Sequence, residues 1–179
     1  RSRARARGLG SLRRQGLSAR PRILTIGVYG STEAGFFGAL ADTDVELFCD
    51  IRARRGLRGS QYAYANSAAL QKKLAAMGIR YVHRPDLAPS EATRRGQEAF
   101  DRDAGIARRD RTELTSDFVA SYESECLNDL DAKALLAELE AESIVLFCVE
   151  RAPGACHRSL LAQRLAKAVR RKVEHLLPG

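Results

Sequence analysis

The chain has 179 residues, 45% of them hydrophobic, with 30 Lys and Arg against 22 Asp and Glu for a formal net charge of +8. That length suits one domain with a real core, and no apolar run reaches the roughly 20 residues of a membrane-spanning helix. Four cysteines are too few for a disulfide scaffold, and no stretch reads as a secretory hydrophobic segment, so a reducing cytoplasm is the expected setting.

The charge is unevenly placed. Arg1, Arg3, Arg5, Arg7, Arg13, Arg14, Arg20 and Arg22 all fall within residues 1–22, which hold no acid, leaving 22 basic against 22 acidic residues in the remainder. The high isoelectric point therefore belongs to the tail, and global charge is no argument for nucleic-acid binding by the folded part. Residues 1–21 are rich in Arg, Gly and Ser with only three Leu to bury, so disorder is expected there. A basic arm for phosphate, a transit peptide and a non-native start are its three open readings. Residues 22–179 are expected to form a single α/β domain.

In chain order, Ile23 to Ile26 form a first strand ending at Gly27. Gly27 and Gly30 flank Val28 and Tyr29 and allow a tight turn with close backbone approach above the sheet. Ser31 is the expected cap of a helix that buries Phe36, Phe37 and Leu40. Val45 to Ile51 form a second strand. Asp50 and Arg52 at its end alternate onto one face, where they form either half of a site or a structural ion pair. Four arginines between Arg52 and Arg58 follow and can grip phosphate. Tyr62 and Tyr64 come next, able either to stack on a base or to pack.

Asn66 caps a helix through Leu70, Leu74 and Met77 that stops at Gly78. Ile79 to His83 form a third strand, with His83 read as structural. Residues 84–112 read as a long loop with a short helix near Glu98 to Phe100, and such loops often lie over sites. Phe118 and Tyr122 share a helical face. Leu127, Leu130, Leu135, Leu136 and Leu139 continue a helix to Glu142. Lys172 to Leu177 form a last strand.

The most informative stretch is Ser143 to Ala168. Ile144, Val145, Leu146, Phe147 and Val149 make a buried strand. Pro153 and Gly154 make a turn, and Leu160, Leu161, Leu165 and Val169 recur at helical spacing. Cys148, Glu150, Arg151, Cys156, His157 and Arg158 crowd the junction. The alternation of strands and helices predicts a three-layer domain, a mostly parallel sheet of about five strands with helices on both faces. Ligands in such folds bind beyond the carboxyl ends of the strands, beside helix N-termini.

Cys148-x-Glu150 followed by Cys156-His157-Arg158 resembles the C-terminal signature of the domain-of-unknown-function 488 family. Thr25-Ile26-Gly27, Asp50-Ile51-Arg52, Tyr81, Phe118, Tyr122 and His175 match weaker features of that family. The chain departs from it after Arg52, where the loop Ala53 to Gly59 lacks the usual Pro and Ser, and at Leu87-Ala88, where the family has Leu-Gly. The resemblance spans roughly residues 22–179. It implies a fold and a site at this signature, and no settled reaction.

The residues permit some chemistry and argue against other kinds. Cys148 and Cys156 are separated by seven intervening residues, unlike the spacing of common zinc knuckles, and adjacent Cys156 and His157 leave a helix in different directions. No metal and no cofactor is therefore expected. No arginine stands where a phosphatase loop requires it, and no Gly-x-Gly-x-x-Gly follows the first strand. What remains is a thiol near an anion site. Cys156 is the first candidate nucleophile, with Cys148, Glu150 and Asp50 as the other candidate catalytic groups. Arg52, Arg158, His157, Gly27 and Tyr29 are the candidate substrate-binding positions. The expected function is thiol-dependent transfer or hydrolysis on an anionic small molecule or nucleic acid. The alternatives are a non-catalytic phosphate-binding module and a scaffold held by a buried Glu150–Arg158 pair.

Overall fold

Five runs dominated by β-branched, leucine and aromatic residues supply the sheet: β1 (Arg22–Gly27), β2 (Leu47–Asp50), β3 (Arg80–His83), β4 (Ser143–Cys148) and β5 (Val173–Leu176). The structure is a computed structural model that describes residues 20–179, so the readings made for residues 1–19 lie outside the described residues. The strands pair in the order β3-β2-β4-β1-β5, every pair parallel. β4 is central and all six of its residues are buried, as expected of a parallel strand covered on both faces.

Among the described residues six α-helices accompany the sheet: α1 (Glu33–Ala41), α2 (Ser67–Ala76), α3 (Glu91–Asp103), α4 (Ser116–Tyr122), α5 (Ala132–Leu139) and α6 (His157–Ala168). Phe36 of α1 packs against Phe48 and Phe147 on one face of the sheet, and α6 packs on β1, β4 and β5 from the other. The chain moves from β1 through β2 to β3 and then returns past them to β4 and β5. Right-handed crossovers in opposite directions place their helices on opposite faces. The three-layer parallel architecture expected from the sequence is the one observed.

Several local expectations need correction. Thr32, not Ser31, caps α1: its hydroxyl accepts the Gly35 N–H at 3.0 Å, while the Ser31 hydroxyl donates to the Val28 carbonyl at 2.7 Å. Asn66 precedes α2 without capping it, because its Oδ1 accepts the Leu57 N–H at 2.6 Å. The long loop contains the 13-residue α3. The leucine-rich helix is broken before Asp131, whose carboxylate caps α5 through the Lys133 and Ala134 N–H groups. Tyr64 is a packing residue, buried with its hydroxyl on Ser31.

Candidate functional site

The loops leaving β1 and β2 run to α1 and α2 on one face, and the loop leaving β4 runs to α6 on the other. The chain parts above the middle of the sheet, which is where open α/β sheets form a crevice. A cleft of about 580 Å³ lies there, lined among others by Tyr29, Arg52, Cys148, Glu150, Cys156 and His157. Strand ends far apart in sequence thus meet at one hollow. Its lining also includes Arg54, Arg58, Arg94, Arg108 and Arg111, so six arginines face two glutamates, Glu98 and Glu150.

The sulfur–imidazole cluster sits at the junction of β4 and α6. Cys156 is the residue before α6, with extended backbone at φ −143° and ψ 137°. Because it is not yet helical, its side chain does not diverge from that of His157 as two adjacent helical residues would. His157 Nδ1 stands 3.8 Å from Cys156 Sγ and 3.9 Å from Cys148 Sγ. The three atoms all lie within 4.8 Å of one another. His157 Nε2 is 3.3 Å from the Ile51 carbonyl. A carbonyl only accepts, so Nε2 carries the proton and the Nδ1 lone pair faces both sulfurs.

The two thiols titrate in opposite directions. The hydrogen bond with Cys156, together with burial, pushes the Cys148 thiol well up. Burial also pushes Cys156 up, but the bond from Cys148 and the charge of Arg158 outweigh it and hold Cys156 well below the ordinary thiol range. Cys49, buried in β2, is pushed up to about 12, chiefly by burial, as for an inert core thiol.

Glu150 is 3% exposed. Its Oε1 accepts from Arg108 Nε at 2.8 Å and pairs as an ion with Arg111, whose Nη2 stands 2.9 Å away, while its Oε2 is buried without a hydrogen-bond partner. Burial raises its pKa, against the opposing pull of the two arginines. Arg111 also donates to Asp101 of α3 at 2.9 Å, and Gln97 of α3 accepts the Thr115 N–H at 2.9 Å. Arg108 and Arg111 were not singled out by the sequence.

Three of the expected site residues, Asp50, Arg158 and Gly27, lie outside the cleft lining. Asp50 is fully buried and grips Arg52 through two bonds, at 2.8 Å from Nε and 2.7 Å from Nη2. Arg158 is fully buried and donates to the carbonyl oxygens of Glu150, at 2.6 Å, and Arg151, at 3.0 Å. The Glu150–Arg158 ion pair considered from the sequence is therefore absent: Arg158 takes the Glu150 carbonyl, and the carboxylate goes to Arg108 and Arg111.

Gly27 pairs in register with Cys148. A Cβ on Gly27 would lie 1.9 Å from the Glu150 carbonyl oxygen and 3.0 Å from Arg158 Nη2. The obstacle is backbone, which cannot swing aside. Gly27→Ala is expected to lower stability by about 3 kcal/mol or more, at or beyond the upper end of overpacking costs. Urea unfolding measures it, and a change within about 0.5 kcal/mol would contradict the close approach.

A doubly wound parallel α/β domain with a strand-end cleft, basic at the rim and sulfur-bearing at the base, is the class these features define. The family model described as domain of unknown function DUF488 matches residues 33–165, and the chain belongs to that family. No curated protein and no solved structure matches it.

Proposed function

We propose that the cleft is the active site of an enzyme that transfers or hydrolyses a group on an anionic, phosphate-bearing substrate. The observation that carries this reading is the six-to-two excess of arginine over glutamate around a cavity whose lining also includes Cys148, Cys156 and His157. Arg108 and Arg111 are already partnered by Glu150. Arg54, Arg58 and Arg94 form no salt bridge among the described residues, so they are the groups with charge to spare for an incoming anion. In the metal-free chain Cys156 is the nucleophile, and the Nδ1 lone pair of His157 can take its proton. Glu150 Oε2 is left for the occupant of the cleft.

The test uses AMP, pyrophosphate and a short single-stranded oligonucleotide as probes, with binding followed by calorimetry at two salt concentrations and turnover by phosphate release. Binding is expected to weaken with salt. The Arg58→Ala/Arg94→Ala variant is expected to lose roughly tenfold to a hundredfold in affinity. Cys156→Ser is expected to bind while turnover stops. If no probe binds saturably, the reading fails. If probes bind equally well to Cys156→Ser and the unaltered chain turns none over, the cleft is a binding module.

A further inference from the structure

Cys148, Cys156 and His157 are buried and their donor atoms face one another. Ligands around a tetrahedral zinc sit at about 2.3 Å for sulfur and 2.0–2.1 Å for nitrogen. Those lengths put the S···N edges of the tetrahedron at about 3.5 Å and the S···S edge at about 3.8 Å. The observed S···N edges of 3.8 and 3.9 Å need to contract by only a few tenths of an ångström. The sequence argument against a metal rested on a spacing unlike that of zinc knuckles and on divergent side chains in a helix; Cys156 is not helical, and the turn between β4 and α6 brings the distant sulfur back to it.

Two independent features fit the same occupant. The first is the orientation of the imidazole. A ligating histidine ordinarily donates its other ring N–H to a carbonyl or carboxylate, which fixes the tautomer, and His157 Nε2 meets the Ile51 carbonyl. The second is the hydrogen-bond state of the cleft base. The polar atom recorded against each sulfur is the shared His157 Nδ1, and Glu150 Oε2 lies buried and unpartnered in the same lining.

We infer that Cys148, Cys156 and His157 form a Cys2His site for a zinc-class divalent ion, with its fourth position open to the arginine-lined cleft. Two thiolates and a neutral imidazole are a soft set that suits zinc over the oxygen-seeking magnesium and calcium. In the loaded site both sulfurs are thiolates, so their two negative charges balance the charge of the ion, and any thiol proton still present leaves on binding. Three protein ligands and an open position are the arrangement of a catalytic zinc, whereas structural zinc sites are closed by four. The inference rests on the active-site reading for the use of that fourth position and deepens it. With the ion in place the sulfurs are ligands, and the reacting group is whatever fills the fourth position. Free-thiol attack and the loaded site are alternatives.

The full chain, purified without chelator from zinc-supplemented cells, is expected to carry about one zinc per chain by elemental analysis. The chelated and then cobalt-loaded chain is expected to show thiolate-to-cobalt charge-transfer absorption together with the strong ligand-field bands of a tetrahedral ion. Cys148→Ser, Cys156→Ser and His157→Ala are each expected to lower zinc affinity by a hundredfold or more, and Cys126→Ser to leave it unchanged. Competition of the unaltered chain against a chromophoric chelator gives the affinity directly, whatever the folding of the variants. An unaltered chain that holds no zinc and shows no cobalt–thiolate band overturns the site. Zinc bound without turnover of any anionic probe supports the site and sinks the enzyme reading. Turnover by a chain that holds no zinc as purified and takes up none in the chelator competition supports the enzyme reading and sinks the site.

Discussion

Asp50→Ala is expected to destabilise the chain by about 3–5 kcal/mol, the cost of leaving one half of a buried ion pair alone. The corresponding fall in melting temperature is roughly 10 °C for a domain of this size. Asp50 Oδ1 and Oδ2 take Arg52 Nε and Nη2, Oδ2 also accepts the Tyr81 hydroxyl at 2.8 Å, and Arg52 Nη1 donates to the Ala65 carbonyl at 3.1 Å. The guanidinium lies 4.4 Å above the Phe147 ring. Arg52 is 3% exposed, so without Asp50 it has no water to turn to. The double variant Asp50→Leu/Arg52→Met is expected to be milder than the single one, since removing both charges removes the uncompensated burial. Thermal and urea unfolding of the two singles and the double close the cycle. A single variant as stable as the parent would return Asp50 and Arg52 to the substrate side.

The pair explains how a loop with so many arginines is held over the sheet. Arg52 ties the end of β2 to Ala65, Asn66 Oδ1 holds the Leu57 N–H, and His83 Nε2 meets the Arg52 carbonyl at 2.8 Å. The charge of Arg52 is spent inside this frame, and the rim arginines beyond it remain for solvent or ligand. A rigid first turn that carries a charged, open loop is a common division of labour at strand ends.

How far the sequence revealed this depends on what each residue was asked to bury. The strands read directly, because a parallel strand covered on both faces must be apolar throughout, as Ile144 to Val149 are. The convergence of three strand ends followed from handedness and from the parallel alternation. The helix α3 was read only as a short helix near Glu98 to Phe100, for an opposite reason. Its buried residues are Thr93, Gln97 and Asp101, spaced at four, while its largest apolar residue, Phe100, is 53% exposed. The period of a helix was present, but in polar residues that an apolar template passes over. With α3 went Arg111, which Asp101 holds against Glu150. The meeting of Cys156 with His157 was hidden in the dihedral angles of one residue, which spacing alone does not reveal.

Arg158→Met is expected to cost about 3–5 kcal/mol and to disorganise the cleft as well as loosen the fold. A hydrogen bond from a charged donor contributes about 1.5–3 kcal/mol, and Arg158 makes two, to the carbonyls of Glu150 and Arg151. Methionine fills the space of the aliphatic stem but leaves both carbonyls without their donor. The turn they belong to joins Cys148 to Cys156, so its release separates the two sulfurs. Arg158→Lys is not expected to rescue. A compact ammonium cannot present the planar fork that spans both carbonyls, and it would still bury a charge. Unfolding midpoint and anion affinity measured on the same samples separate this bracing role from direct binding. A lysine variant that keeps its midpoint and loses only affinity would mean that Arg158 reaches the ligand. A fully buried guanidinium outside the cleft lining predicts that the midpoint falls first.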